Sequence, residues 1–84
     1  MEQFQRIVQY DYVDFGRVYV RLDRLLREKG LTRNALSELT GIKWDVLNRY
    51  CSEENIVRVD VGILAKICYS LNCQVSDILE YESP

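Results

Sequence analysis

Histidine is absent from this sequence. With it go the commonest general acid–base and the commonest zinc ligand. Three cysteines, Cys51, Cys68 and Cys73, are present, but the number is odd and no two form a C-x-x-C pair, so neither a zinc site nor a disulfide framework is indicated. They read as reduced thiols packed as small apolar groups, with Cys51 the most exposed of the three. There is no glycine-rich phosphate loop and no pair of carboxylates at a credible cleft, so enzymatic activity is not expected, and neither a cofactor nor a metal is called for. Also missing are an apolar run long enough to cross a bilayer, any low-complexity tract, and a signal peptide's basic start with its apolar stretch, since MEQFQRIVQY mixes the two kinds of residue. The reading is a cytoplasmic protein with no membrane association.

An excess of positive charge is lacking too: the net charge is −2 and the isoelectric point is near 5.0. That total argues against a nucleic-acid partner until it is counted by segment. Residues 17–49 carry Arg17, Arg21, Arg24, Arg27, Lys29, Arg33, Lys43 and Arg49 against Asp23, Glu28, Glu38 and Asp45, a local +4. Residues 50–84 carry Arg58 and Lys66 against six carboxylates, a local −4, and residues 1–16 supply the remaining −2. One segment is therefore able to face phosphate while the others face away. At 84 residues the chain suits one domain that buries roughly 60% of its unfolded surface, enough for a small core without metal or crosslinks.

Residues 1–16 alternate weakly (IVQYDYVDF) and read as an arm or strand region. After Gly16, RVYVRL alternates charged with β-branched or aromatic residues, which predicts a short strand. The period then becomes helical. Leu22, Leu25 and Leu26 fall on one side, Arg21, Arg24, Arg27 and Glu28 lie outside as solvent-facing or locally paired charge, and Gly30 stands where a left-handed terminal residue belongs, giving a helix over about 21–29. Thr32 is placed to cap a second helix over 33–40 whose stripe is Ala35, Leu36 and Leu39, ending at Gly41. A third starts near Lys43 or Trp44 and runs to about Cys51 with Val46, Leu47 and Tyr50 on one face and Asp45, Asn48, Arg49 and Ser52 on the other. Asp60 can cap a fourth, carrying Val61, Leu64, Ala65, Ile67, Cys68 and Leu71 and closing at Asn72. Ser76 can cap a final turn, Asp77 to about Glu80, with Ile78 and Leu79 docked on the core. The tail LEY extends as a strand, with residues 17–20 as its candidate partner.

Two short helices joined by a tight glycine turn, with helices before and after, form a helix-turn-helix arrangement. Gly41 supplies the turn, Ser37 is small enough to let the helices approach, and Leu36, Ile42, Leu47 and Tyr50 are placed to hold their crossing angle. LLREKGLTRNALSELTGIKWDVLNRY followed by LAKICYSLNCQVSDILEY resembles the Cro and phage-repressor-like (XRE-type) helix-turn-helix transcriptional regulators, in particular a branch of small bacterial members, over about residues 22–81. The resemblance implies an all-α, five-helix DNA-binding domain spanning residues 17–84. It makes the helix over about 43–51 the recognition helix, with Lys43, Trp44, Asp45, Asn48 and Arg49 facing base edges: Arg49 suits guanine, Asn48 adenine, Asp45 the cytosine amino group, and Trp44 a thymine methyl or sugar edge. Phosphate anchoring falls to Arg33 and Asn34 at the start of the second helix and to Arg58 just ahead of the fourth. Lys43 replaces the family's usual serine cap, and Glu53 with Glu54 stands where a glycine- or lysine-containing loop is common. Both changes lower the expected non-specific affinity.

The implied partner is double-stranded DNA, bound as a homodimer because one short helix reads few base pairs. The alternative is a protein-interaction module of the same fold, antitoxin-like or an accessory regulator, anchored by Trp44 and the N-terminal aromatics Tyr10, Tyr12, Phe15 and Tyr19. Net acidity favours the alternative; the +4 segment with Asn48 and Arg49 favours DNA.

Overall fold

The computed structural model describes Phe4, residues 13–52 and residues 58–84. Tyr10, Tyr12, Glu53 and Glu54 lie outside the described residues, as does most of the 1–16 arm. The elements are β1 (Arg17–Val20), α1 (Leu22–Lys29), α2 (Arg33–Thr40), α3 (Trp44–Cys51), α4 (Val61–Leu71), α5 (Val75–Ile78) and β2 (Leu79–Glu82). Five helices thus surround one core, and the two strands form a small antiparallel ribbon in which Val20 faces Leu79 and Val18 faces Tyr81. The predicted strand in RVYVRL and the LEY tail are therefore partners.

Local chemistry accounts for most of the boundaries. The Thr32 hydroxyl accepts the Ala35 amide at 3.0 Å, and Asp60 Oδ1 accepts the amides of Gly62 and Ile63 at 2.8 and 3.1 Å, so α2 and α4 begin where a side chain satisfies otherwise unpaired N–H groups. Asn72 closes α4 in the left-handed region at φ 49°, a conformation asparagine tolerates better than most residues. The last helix departs from expectation: it starts at Val75, not after Ser76, because Asp77 Oδ2 reaches back to accept the Gln74 amide at 2.8 Å. Leu79 and Glu80 accordingly belong to β2, where Leu79 pairs with Val20. Gly16 turns the chain into β1 at φ +81°, and a Cβ there would collide with the Glu82 carbonyl oxygen and the Tyr81 hydroxyl.

The core is apolar throughout, with no buried polar or charged residue among those described. Leu22, Leu26, Leu36, Leu47, Tyr50, Ile67 and Ile78 are its most enclosed members, and truncating any of the aliphatic ones to alanine is worth about 2–5 kcal/mol. Four expectations about burial are corrected. Leu39, Val61 and Ala65, placed on core stripes by helical spacing, are exposed; in α4 the buried stripe is the narrower one of Leu64, Ile67 and Leu71. Cys51 is buried, whereas Cys68 and Cys73 are half-buried; it follows Leu47 by four residues and so stays on the inner stripe of α3 to the end of the helix.

The arginine row of α1 is paired more widely than its local spacing suggests. Arg27 with Asp23 (3.5 Å) and Arg24 with Glu28 (3.9 Å) are four-residue pairs along the helix. Arg21 reaches Glu80 and Glu82 on β2 at 3.1 and 3.3 Å, and Arg24 reaches Glu80 at 3.6 Å. The Arg21 guanidinium also lies 4.3 Å from the centre of the Tyr19 ring. The basic first helix is thus fastened to the acidic tail, which removes part of its charge from any outside partner.

Candidate nucleic-acid interface

The α2–α3 turn is wired by hydroxyls as well as by glycine. Gly41 adopts φ +74° with its amide donating to the Ser37 carbonyl at 2.8 Å. The Ser37 hydroxyl donates to the Ile42 carbonyl at 2.6 Å, and the Thr40 hydroxyl donates to the Leu36 carbonyl at 2.8 Å while accepting the Ile42 amide at 3.1 Å. Every turn carbonyl or amide named here has a partner, and with Ile42 buried the start of α3 is held on α2. Ser37 therefore does more than leave room. The polar bonds it and Thr40 make were not foreseen, although hydroxyls flanking a turn glycine are the kind of residue that offers them.

Helix α3 has its inner side, Leu47, Tyr50 and Cys51, in the core and Val46 half-buried. Its first turn and outer side carry the residues expected to read bases. Lys43, Trp44, Asp45 and Arg49 are exposed and Asn48 is half-exposed. Trp44 stands 47% exposed, on the flank nearest Asn48, so it is not the core residue that tryptophan more often is. Among the described residues, neither Lys43 nor Arg49 nor Arg58 has a carboxylate within ion-pair distance; the Arg49 guanidinium lies 5.9 Å from the centre of the Tyr50 ring. Lys43 makes no side-chain cap to α3, as expected where it replaces serine.

The residues expected to hold phosphate fall into two groups. Asn34 and Arg58 are exposed. The stretch carrying Arg58 is tied to α3 through Tyr50, whose buried ring ends in a hydroxyl that accepts the Asp60 amide at 2.7 Å. Arg33 is engaged inside the fold. One of its Nη atoms donates to Asn48 Oδ1 in a short hydrogen bond, and the other donates to Asp23 Oδ1 at 3.3 Å. Asp23 completes this cluster. Its sequence position, early in α1 among arginines, marked it only as local charge; its approach to α2 and α3 is visible only in three dimensions. Beneath lies the Cys51 thiol, which burial pushes above its ordinary range despite the neighbouring Arg33 guanidinium, so it stays neutral near pH 7.

Comparison with known proteins agrees with the helix-turn-helix fold. Residues 21–84 match the family model described as the Cro/C1-type HTH DNA-binding domain. The chain is 38% identical over 72 residues to the SPbeta prophage-derived uncharacterized HTH-type transcriptional regulator YopS of Bacillus subtilis (strain 168), covering 83% of this chain and 90% of that protein. Its fold is similar to the crystal structure of the transcriptional regulator VanUg, form II, with a TM-score of 0.64 at 27% identity over 92% of this chain and 100% of that one. The protein belongs to the Cro/C1-type helix-turn-helix DNA-binding family.

Proposed function

We propose that the protein is a sequence-specific transcriptional regulator that lays α3 in the DNA major groove and acts as a homodimer. The observation that carries this reading is the outer side of α3. Lys43 and Arg49 stand exposed there with no carboxylate partner among the described residues, beside Trp44, Asp45 and Asn48, on a helix fixed to α2 by the bonded turn. Arg21, Arg24, Arg27 and Arg33 are paired with carboxylates, whereas Lys43 and Arg49, together on the outer side of α3, have no such partner among the described residues, which leaves this side of the helix open to negative charge. In this reading Arg49 and Lys43 donate to guanine or phosphate, Asp45 accepts from a cytosine or adenine amino group, and Trp44 packs on a thymine methyl or sugar edge. Asn34 and Arg58 hold phosphates on the two sides of the groove.

An eight-residue helix is about 12 Å long and spans only about three or four base pairs. Useful specificity then requires two copies on half-sites about 34 Å apart. The test is a titration of the protein with DNA from upstream of its own coding sequence, followed by Trp44 fluorescence at two salt concentrations, with scrambled DNA alongside. A saturable change with the upstream DNA alone, weakened by salt, supports the reading. Absence of binding in both fluorescence and mobility shift, to this DNA and to a randomised duplex pool, overturns it in favour of a protein partner at Trp44.

A further inference from the structure

We propose that Asp23 and Arg33 act as positioning residues that decide which end of the Asn48 amide faces DNA, and so which base α3 accepts at that position. The inference rests on α3 meeting DNA as proposed above. A guanidinium has five donors and no acceptor, so the atom of Asn48 that faces Arg33 is the carbonyl oxygen and never the amino group. The structure has this arrangement, with Arg33 donating to Asn48 Oδ1. Arg33 is in turn held by Asp23 Oδ1 at 3.3 Å, and the other Asp23 oxygen is held by Arg27 at 3.5 Å. The carboxylate on α1, the guanidinium on α2 and the amide on α3 thus form one chain of charge-assisted bonds across three helices. The neutral Cys51 thiol beneath does not draw the guanidinium away as a thiolate would.

The consequence for recognition is specific. Pairing of asparagine with adenine uses both ends of the amide: Oδ1 accepts from the adenine N6 amino group while Nδ2 donates to N7. With Oδ1 turned inward to Arg33, Asn48 offers the groove its Nδ2 donors. A donor seeks acceptor edges: guanine offers two, N7 and O6, thymine offers O4, adenine offers N7 but sets its N6 amino group beside it, and the cytosine N4 amino group offers none. Arg49 and Lys43 are donors as well, so Asp45 is left as the carboxylate acceptor on this face of α3. The base opposite Asn48 is accordingly expected to be guanine in preference to adenine. On this account Arg33 contributes to sequence preference and not to uniform phosphate affinity.

The experiment is selection from a pool of randomised DNA duplexes by the wild-type protein and by Arg33→Met, Asp23→Asn, Arg33→Lys and Asn48→Ala variants, with thermal melting as the check on folding. Wild type should enrich a motif with an acceptor-rich base at one position. Arg33→Met, which frees Oδ1 while keeping an apolar stem, should shift that position toward adenine by ~5-fold or more and leave the others unchanged. Asp23→Asn, which loosens Arg33 without removing it, should shift the same position in the same direction, and it decides the matter should Arg33→Met fail to fold. Asn48→Ala should erase preference there, with no further change on adding Arg33→Met. The proposal is overturned if Arg33→Met weakens all sequences alike and Arg33→Lys restores them, the behaviour of a phosphate anchor. Enrichment of no motif by wild type overturns the placement of α3 itself, a result distinguishable from failure of the relay.

Discussion

Gly41 shows how much one residue carries. A Cβ at this position meets no atom within 4 Å, yet the backbone sits at φ +74°, so the demand for glycine is conformational and not one of space. Gly41→Ala should cost about 1–2 kcal/mol, seen as a fall in melting temperature of about 4–8 °C for each kcal/mol; an unchanged melting curve would show that the turn relaxes. Arg49 is the counterpart on the functional side. Arg49→Ala should cost about 1–3 kcal/mol on the selected DNA and relax one base position while leaving stability almost untouched, since the side chain is exposed and has no carboxylate partner among the described residues. If binding falls equally on every sequence, Arg49 is gripping phosphate. The turn at Gly41 was legible from its place between two helical periods, and the exposure of Arg49 from its place on the outer side of the second. Cys51, expected to be the most exposed cysteine, is buried, because its four-residue spacing from Leu47 keeps it on the inner stripe of α3.

The elements are joined by bonds that the periodicity of any one helix does not reveal. Tyr50 is 1% exposed and was expected to hold a helix crossing by its bulk, yet its hydroxyl also accepts the Asp60 amide, tying α3 to the cap of α4. Tyr50→Phe keeps the bulk and removes this bond, so about 1 kcal/mol of stability should be lost, and exchange of the Asp60 amide, followed by NMR, should quicken. Exchange at the wild-type rate would mean that the bond contributes nothing. The ribbon offers a sharper case. At Gly16 both the positive φ and the nearness of the Glu82 carbonyl oxygen forbid a side chain, so Gly16→Ala should open the Arg17–Glu82 end of the β1–β2 pairing, detectable as lost amide protection there with α2 and α3 still protected. Loss of protection across all elements would instead make the ribbon part of the global fold. Serine is the more common cap and points to Ser76, but Asp77 reaching back to the Gln74 amide moves the start of α5 to Val75.

For the whole molecule, the distribution of charge matters more than its total. Half of the basic segment is paired within the molecule: Arg21 and Arg24 with the acidic tail, Arg27 and Arg33 with Asp23. In the proposed docking the cations offered to DNA are chiefly Lys43, Arg49 and Arg58. With no more than about three phosphates neutralised per protomer, the slope of log affinity against log salt should be about −3 or shallower for each protomer bound. A slope twice as steep, measured by fluorescence titration on the selected duplex, would mean that cations beyond these three reach the backbone. On the proposed docking, so small an electrostatic component leaves discrimination to base contacts, among them the one the Asn48 amide would make.

Helical spacing, the caps Thr32 and Asp60, and the terminal residues Gly30, Gly41 and Asn72 determined four helices to within a residue or so, because each signal is local and acts within a turn of the chain. The alternation in RVYVRL likewise determined β1, while the sequence read Leu79 and Glu80 both as the end of the last turn and as the start of the LEY strand, and only pairing with Val20 and Tyr19 puts them in β2. Tertiary structure alone decided that Arg33 turns from solvent to bridge Asp23 and Asn48, that Arg21 crosses to Glu80 and Glu82, and that Tyr50 fastens Asp60. Each of these bonds joins residues on different elements, with donors and acceptors that had many possible partners in the unfolded chain. Which partner each one takes is settled only when the apolar core has fixed the distances between the helices.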